Sequence, residues 1–222
     1  MLDWREREHV EEDEAAINHQ PSLDALRACR LYKYWTIQGM RGQVRFLEWL
    51  VERWNVQEQC FYIGGHQLEI EPSDVYFLTG LPNRGEQLNL AGTRPGGQPL
   101  DSLREDWCTR GAHHSKGIEI KHITLPELKV IAFTVSRICG AAALHIASGS
   151  QMRMAIDCYQ GTIFNWCDAV SANVKSQLTK AKLTTRGPYP KVFSCPFFAL
   201  VSWPFILADT ASHQLKMVPW KQ

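Results

Sequence analysis

The stretch QVRFLEWLVERWNVQEQCFYIGGHQLEIEPSDVYFLTGLP, Gln43 to Pro82, decides the fold because its hydrophobic period changes twice. Between Gln43 and Trp54, the positions Leu47, Leu50, Val51 and Trp54 follow the i, i+3, i+4, i+7 spacing of one helix face. Phe46 and Trp49 widen that stripe, so this helix needs a partner surface to cover it. Glu48, Glu52, Arg45 and Arg53 take the other side and form weak local pairs. Cys60–Ile63 and His66–Ile70 then flank Gly64-Gly65, which predicts two short strands joined by a primed turn. Leu68 and Ile70 alternate with Gln67 and Glu69, so one face of the second strand is wet. A lone hairpin is marginal, so it must lie on the Trp-rich helix before it. Glu71-Pro72-Ser73-Asp74 predicts a helix entry, with Pro72 pre-set in φ and Asp74 near the positive end. Gly80 closes that brief helix in the left-handed conformation, and Pro82 forbids its continuation.

Working outward, Leu23, Leu26, Cys29 or Arg30, and Tyr34 predict a helix from about Ser22 to Gly39. On the other side, Asn83–Pro99 is rich in Gly and Pro and predicts a long loop or subdomain junction. Leu100–Trp107 predicts a short helix, and Thr109–Gly117 an irregular stretch. Thr124-Leu125-Pro126-Glu127 has the form of a capping box, opening a helix to about Cys139. Ala141–Ala147 predicts the start of a further packed helix. Gln151 to about Lys182 is the longest periodic region, which Gly161 bends or divides.

The chain has 222 residues, 45% of them apolar and 21% charged, with a formal net charge of +1. These values describe a globular chain that buries roughly two-thirds of its unfolded surface. They exclude collagen-like and low-complexity classes and give no whole-molecule pull toward anions. The first twenty residues hold seven acids against Arg5 and Arg7, which predicts a solvated acidic arm and no secretory signal. Seven cysteines, an odd count without a Cys-x-x-Cys, predict buried free thiols in a reducing compartment. Val192–Ala208 carries no charge over seventeen residues, but Pro196, Pro204, Ser194 and Ser202 favour a buried helix over a membrane span. Val130–Ala147 is interrupted by Arg137 and His145.

No chemistry-bearing motif emerges. Cys108, His113, His114 and His122 offer zinc-type atoms without finger or knuckle spacing. The pairs Cys139 with His145 and Cys158 with Cys167 are weaker still. Ser148-Gly149-Ser150 reads as a turn between helices, with no identifiable base. Glu69, Asp74 and Asp106 form no readable magnesium set, and Gly92, Gly96 and Gly97 form no phosphate loop. Trp49, Trp54 and Trp166 read as core residues on helical faces, while Trp4 and Trp220 stand in end segments. His66 marks the hairpin tip. No catalytic, cofactor-binding or metal-ligating residue is therefore assigned, and no cofactor is expected.

The segment Phe46–Glu86 resembles the plant mobile domain family, also labelled aminotransferase-like and associated with plant transposable elements. Phe61 and Gly65 match the middle of the family phrase, and Asp74, Val75, Leu78, Gly80, Leu81, Pro82 and Gly85 match its end. Gly65-His66 stands where the phrase has Gly-Glu. The resemblance implies a largely helical, transposon-related domain, nuclear in some members. No lysine of this chain sits in a pyridoxal-phosphate context.

The expected fold is mainly α, an irregular multi-helix domain with a small β-hairpin at about residues 60–70 packed on it. The expected layout is an acidic arm at 1–20, a helical domain at 21–209 with the junction at 83–99, and a tail at 210–222. The leading function is a non-enzymatic, transposon-related interaction module with protein partners, nuclear or otherwise cytoplasmic. The alternative is nucleic-acid binding through the basic segment 171–222, where seven bases face Asp209 alone and Lys175, Lys180, Lys182 and Arg186 carry the contact. A third reading, an enzyme, needs two or more of His113, His114, His122, Cys139 and Asp157 to converge in one cleft.

Overall fold

A computed structural model describes residues 20–37, 44–88, 90, 100–109, 117–140 and 145–184. Among these are eight α-helices and five short strands, so the fold is mainly α with small antiparallel sheets packed on the helices. In chain order the elements are α1 (Gln20–Ala28), α2 (Tyr32–Trp35), α3 (Val44–Glu52), β1 (Trp54–Asn55), β2 (Cys60–Ile63), β3 (His66–Glu69), α4 (Pro72–Thr79) and α5 (Leu100–Trp107). They continue with β4 (Ile118–Glu119), a 3-10 turn (Ile120–His122), α6 (Pro126–Ile138), β5 (Ile146–Ala147), α7 (Gly149–Tyr159) and α8 (Trp166–Leu183).

Two groups of elements share one apolar core. In the first, α6 lies between α1 and α7 and buries Leu128, Ile131, Ala132, Val135 and Ile138 toward them. Trp35 meets Phe133 edge-on at 5.8 Å, and Arg137 lies over the Tyr34 ring and donates to the Ile37 carbonyl, which secures α2. In the second, α8 is the spine against which α3, β1 and α4 pack. The sheet order is β1-β2-β3, with Phe61 opposite both Trp54 and Leu68. Trp54 meets Phe61 edge-on at 4.9 Å, so the hairpin is supported by aromatic packing as its instability alone requires.

The strap 81–86 ties the exit of α4 to the connection between α7 and α8. Glu86 N–H donates to Ile163 O, Asn165 N–H donates to Glu86 O, and Cys167 N–H donates to Pro82 O, at 2.9, 2.9 and 3.1 Å. Gly85 is essential to this approach: its φ is +138°, and a Cβ there would stand 2.2 Å from the Ile163 carbonyl oxygen.

Several elements differ from their sequence expectation. The helix expected from Ser22 to Gly39 is broken, because Arg30 adopts φ 61° and Leu31 N–H turns back to Leu26 O. Leu31 and Tyr34 are thereby buried beside α1. Trp54 does not end a helix face but begins β1, since α3 stops at Glu52 and the chain reverses to pair with β2. Thr124 caps nothing: Leu125 is the N-cap of α6, and the Thr124 hydroxyl donates to Trp107 O at 3.1 Å. Ala147 belongs to no helix, because Ile146–Ala147 pairs antiparallel with Ile118–Glu119. Ser148 is not a linker turn but the N-cap of α7, its hydroxyl accepting from Gln151 N–H while Gln151 Oε1 accepts from Ser148 N–H. Gly161, with φ 99°, divides the long periodic region into α7 and α8.

The α4 unit follows its expectation closely. Glu71 N–H donates to the Asp74 carboxylate at 2.8 Å, Pro72 opens the helix, and Gly80 closes it at φ 66°. Burial holds the Asp74 carboxyl above its usual range. The expected arm before Gln20, the Gly39-to-Gly42 break, the loop 91–99, the start of the helix expected at 141–147, the run Val192–Ala208 and the tail 210–222 lie outside the described residues. So do the side chains of Arg45, Phe46 and Leu47.

Candidate functional site

The residues singled out for zinc do not assemble among the described residues, where no group of three His, Cys, Asp or Glu is placed to hold a metal. His113 and His114 lie outside them. Cys108 forms an isolated bridge with Ile123, while His122 turns toward Thr109 and Glu119. Thr109 Oγ1 and His122 Nδ1 are 3.3 Å apart, and His122 Nε2 and Glu119 Oε2 are 3.5 Å apart. That order of hydroxyl, imidazole and carboxylate has the form of a nucleophile relay. Glu119, however, also pairs with Lys121 Nζ at 2.9 Å, and Thr109 is exposed. None of the three lines either groove described below. The cluster depends on Cys108–Thr109 being laid beside the 3-10 turn, a pairing that no local spacing announces.

The described cysteines are free thiols. Burial pushes Cys29 up to about 11, and Cys139 and Cys167 up to about 12. Burial also raises Cys158, with the Cys29 thiol adding to the effect. Thiols so held are poor nucleophiles near neutral pH. Cys139 caps α6 while His145 is exposed beyond it, and Cys167 donates to Leu81 O at 3.1 Å. Asp157 lies on α7, half-buried.

The basic candidates separate. Lys182 Nζ donates to Glu52 O at 2.7 Å and satisfies the end of α3. Lys175 and Lys180 share a groove of about 660 Å³ between α8 and the hairpin group, together with Gln59, Pro72, Asp168, Ser176 and Thr179. Arg186 lies outside the described residues. Asp168 is already engaged, accepting from the Asn165 side-chain amide and from Gln87 Nε2 at 3.3 Å. Trp54 and Trp166 are buried, and Trp49 lies half-buried under Arg53 at 4.0 Å. His66 is exposed at the hairpin, as its place beside Gly65 suggests. No helix among the described residues is long and apolar enough to cross a membrane.

Large apolar side chains stand outward at Leu183, at Tyr159 and, as an adjacent pair beside a groove, on α4. On α4, Phe77 is 79% exposed and Tyr76 is 44% exposed, the two rings edge-on at 5.8 Å. They border a second groove, of about 320 Å³, whose other walls are Lys33, Ile37, Leu78, Thr79 and Gly80. The helix carrying them packs on α8. Val75 and Thr79 are buried, the Thr79 hydroxyl donates to Val75 O, and Leu81 N–H donates back to Thr79 Oγ1. The Lys33 side chain lies so close over Gly80 that a Cβ there would come within 2.6 Å of it. In the sequence, Phe77 stands with Val75, Tyr76 and Leu78 as the apolar part of this short helix. An eight-residue helix that is apolar nearly all round does not announce which face stays open.

A family model described as Domain of unknown function (DUF8566) matches residues 20–198. No curated protein and no solved structure matches the chain. This finding corrects the resemblance to the plant mobile domain family and, with it, the aminotransferase-like and transposable-element-derived descriptions. The phrase from Asp74 to Gly85 is accounted for locally: an N-terminal carboxylate, a short helix, a left-handed glycine stop, and a glycine that lets the strap pass Ile163. Such a phrase recurs wherever a short helix is started and stopped in this way, so it does not carry a family.

Proposed function

The chain belongs to the family described as Domain of unknown function (DUF8566), and from that premise we propose that it is a non-enzymatic helical interaction module that binds a protein partner through the Tyr76–Phe77 ridge of α4. The observation that carries this reading is Phe77, 79% exposed on a helix that buries Val75 and Thr79 and packs on α8. Leaving a phenyl ring in water forgoes roughly 1.5–3 kcal/mol of burial, which a partner covering the ridge recovers. Aromatic anchors beside a groove are the usual centre of a protein interface. The raised thiols and the open, groove-less setting of Thr109, His122 and Glu119 support a binding role over a catalytic one. Free cysteines support work in a reducing compartment, nucleus or cytoplasm.

The test is a comparison of full-length wild type with Phe77→Glu, using His66→Ala as a surface control. Partners recovered from the source cells are re-expressed and titrated against each purified variant. The reading expects a partner whose binding Phe77→Glu abolishes and His66→Ala retains, with unchanged circular dichroism. A substrate turned over by the purified chain, or a partner indifferent to Phe77, removes it.

A further inference from the structure

Resting on that ridge, we infer that the partner is a second copy of this chain. Two α4 helices pair antiparallel about a two-fold axis, and each Phe77 enters the groove of the other copy. The surface carries both halves of such a contact. Phe77 stands outward as the knob. The groove of about 320 Å³ that it borders, walled also by Lys33, Ile37 and Leu78, is the hole. In a two-fold interface the same patch serves on both sides, so a knob beside its own hole makes the contact twice and closes at two copies.

Helix geometry fixes what lies around the knob. Residues three apart share a face, so Asp74 and the C-cap Gly80 flank Phe77, each about 4.5 Å from it along the axis. The Lys33 stem lies against Gly80, and Lys33 is exposed. The face therefore reads acid, ring, base, with the exposed N-cap Glu71 adding a carboxylate at the acidic end. These charges balance, so they select neither an acidic nor a basic partner. Reversed on itself about Phe77, the face is its own complement: Asp74 of each copy comes to the Gly80 end of the other, where Lys33 lies, and the helix dipoles oppose. Strength is limited by area. Phe77 and Tyr76 offer roughly 250 Å² of exposed ring per copy, against about 800 Å² per partner in a standard interface. The pair is therefore weak and depends on concentration.

The experiment follows the full chain by sedimentation equilibrium from about 1 µM to about 500 µM. Wild type is compared with Phe77→Ala, Lys33→Glu, Lys33→Gln and the surface control His66→Ala, with circular dichroism as the check on folding. Wild type and His66→Ala are expected to rise with concentration from one monomer mass toward two, and no further. Phe77→Ala is expected to weaken the dimer at least about 10-fold. Lys33→Glu sets acid against acid and is expected to weaken it at least about 3-fold at low salt, an effect that fades at high salt. Lys33→Gln keeps most of the stem without the charge and is expected to fall between wild type and Lys33→Glu. A dimer indifferent to Phe77→Ala or to Lys33→Glu, or association that grows past two copies, overturns the inference. A chain that stays monomeric throughout also overturns it, and the ridge reading survives if another protein still needs Phe77 to bind. A monomeric chain whose partners are all indifferent to Phe77 removes both.

Discussion

The hydroxyl of Ser171, in α8, donates to the carbonyl of Ile70 at the end of the hairpin at 3.1 Å, and both residues are buried. Among the described residues it is one of three bonds by which α8 side chains satisfy main-chain carbonyls of the hairpin group. Cys167 reaches Leu81 O and Lys182 reaches Glu52 O. These carbonyls sit where α3, β3 and α4 end or have just ended, so they would otherwise lack a partner.

Ser171→Ala is therefore expected to cost about 1–3 kcal/mol, because it strands a buried carbonyl. Ser136 supplies the control. It is fully buried on α6, and its hydroxyl has no partner among the described residues. Ser136→Ala is expected to be neutral or stabilising by up to about 1 kcal/mol. Urea unfolding of both variants checks the pair, and equal losses would count against the bond.

The strap tests backbone space. Gly64 has φ 59° with open space around a Cβ, whereas Gly85 would drive a Cβ into the Ile163 carbonyl. Gly64→Ala is expected to cost about 1 kcal/mol, and Gly85→Ala at least about 3 kcal/mol. Thermal midpoints of the two variants, read against wild type, check the order.

Thiol burial has a pH signature. The folded values of Cys29, Cys139 and Cys167 stand above the ordinary 9.0. The unfolded chain therefore loses these protons first, and binds fewer protons than the folded chain above pH 9. Stability is fully present below about pH 9 and falls as pH rises toward the folded values. Unfolding midpoints between pH 8 and 11 are expected to fall, with a shallower slope in Cys139→Ala. A flat profile, or rapid alkylation of these thiols in the native protein at pH 8, contradicts the burial.

Trp54 Nε1–H donates to Thr179 Oγ1 at 3.1 Å, locking β1 to α8. A double-mutant cycle of Trp54→Phe and Thr179→Val is expected to return a coupling of about 1 kcal/mol. Additive effects would show that the two elements are held by packing alone.

The α4 unit was legible because each of its boundaries is local. Glu71, Pro72 and Asp74 start it, and Gly80 with Pro82 stops it, all within hydrogen-bonding reach along the chain. The same logic misled at Thr124, where an equally good capping phrase was overruled by a distant carbonyl, Trp107 O. The candidate site was far less legible. Nothing in the spacing of Phe77 and Lys33 shows that they line one groove beside Gly80.

Sequence alone determined which segments prefer helix or hairpin and where several of them begin and end, since period, proline and glycine act within about one turn. Only tertiary structure decided that Ile146–Ala147 pairs with Ile118–Glu119, that Arg30 turns left-handed to bury Leu31, and that Phe77 is left outward. Each of those outcomes depends on which distant surface arrives to compete for the same backbone groups and apolar area, and local propensity holds no record of that competition.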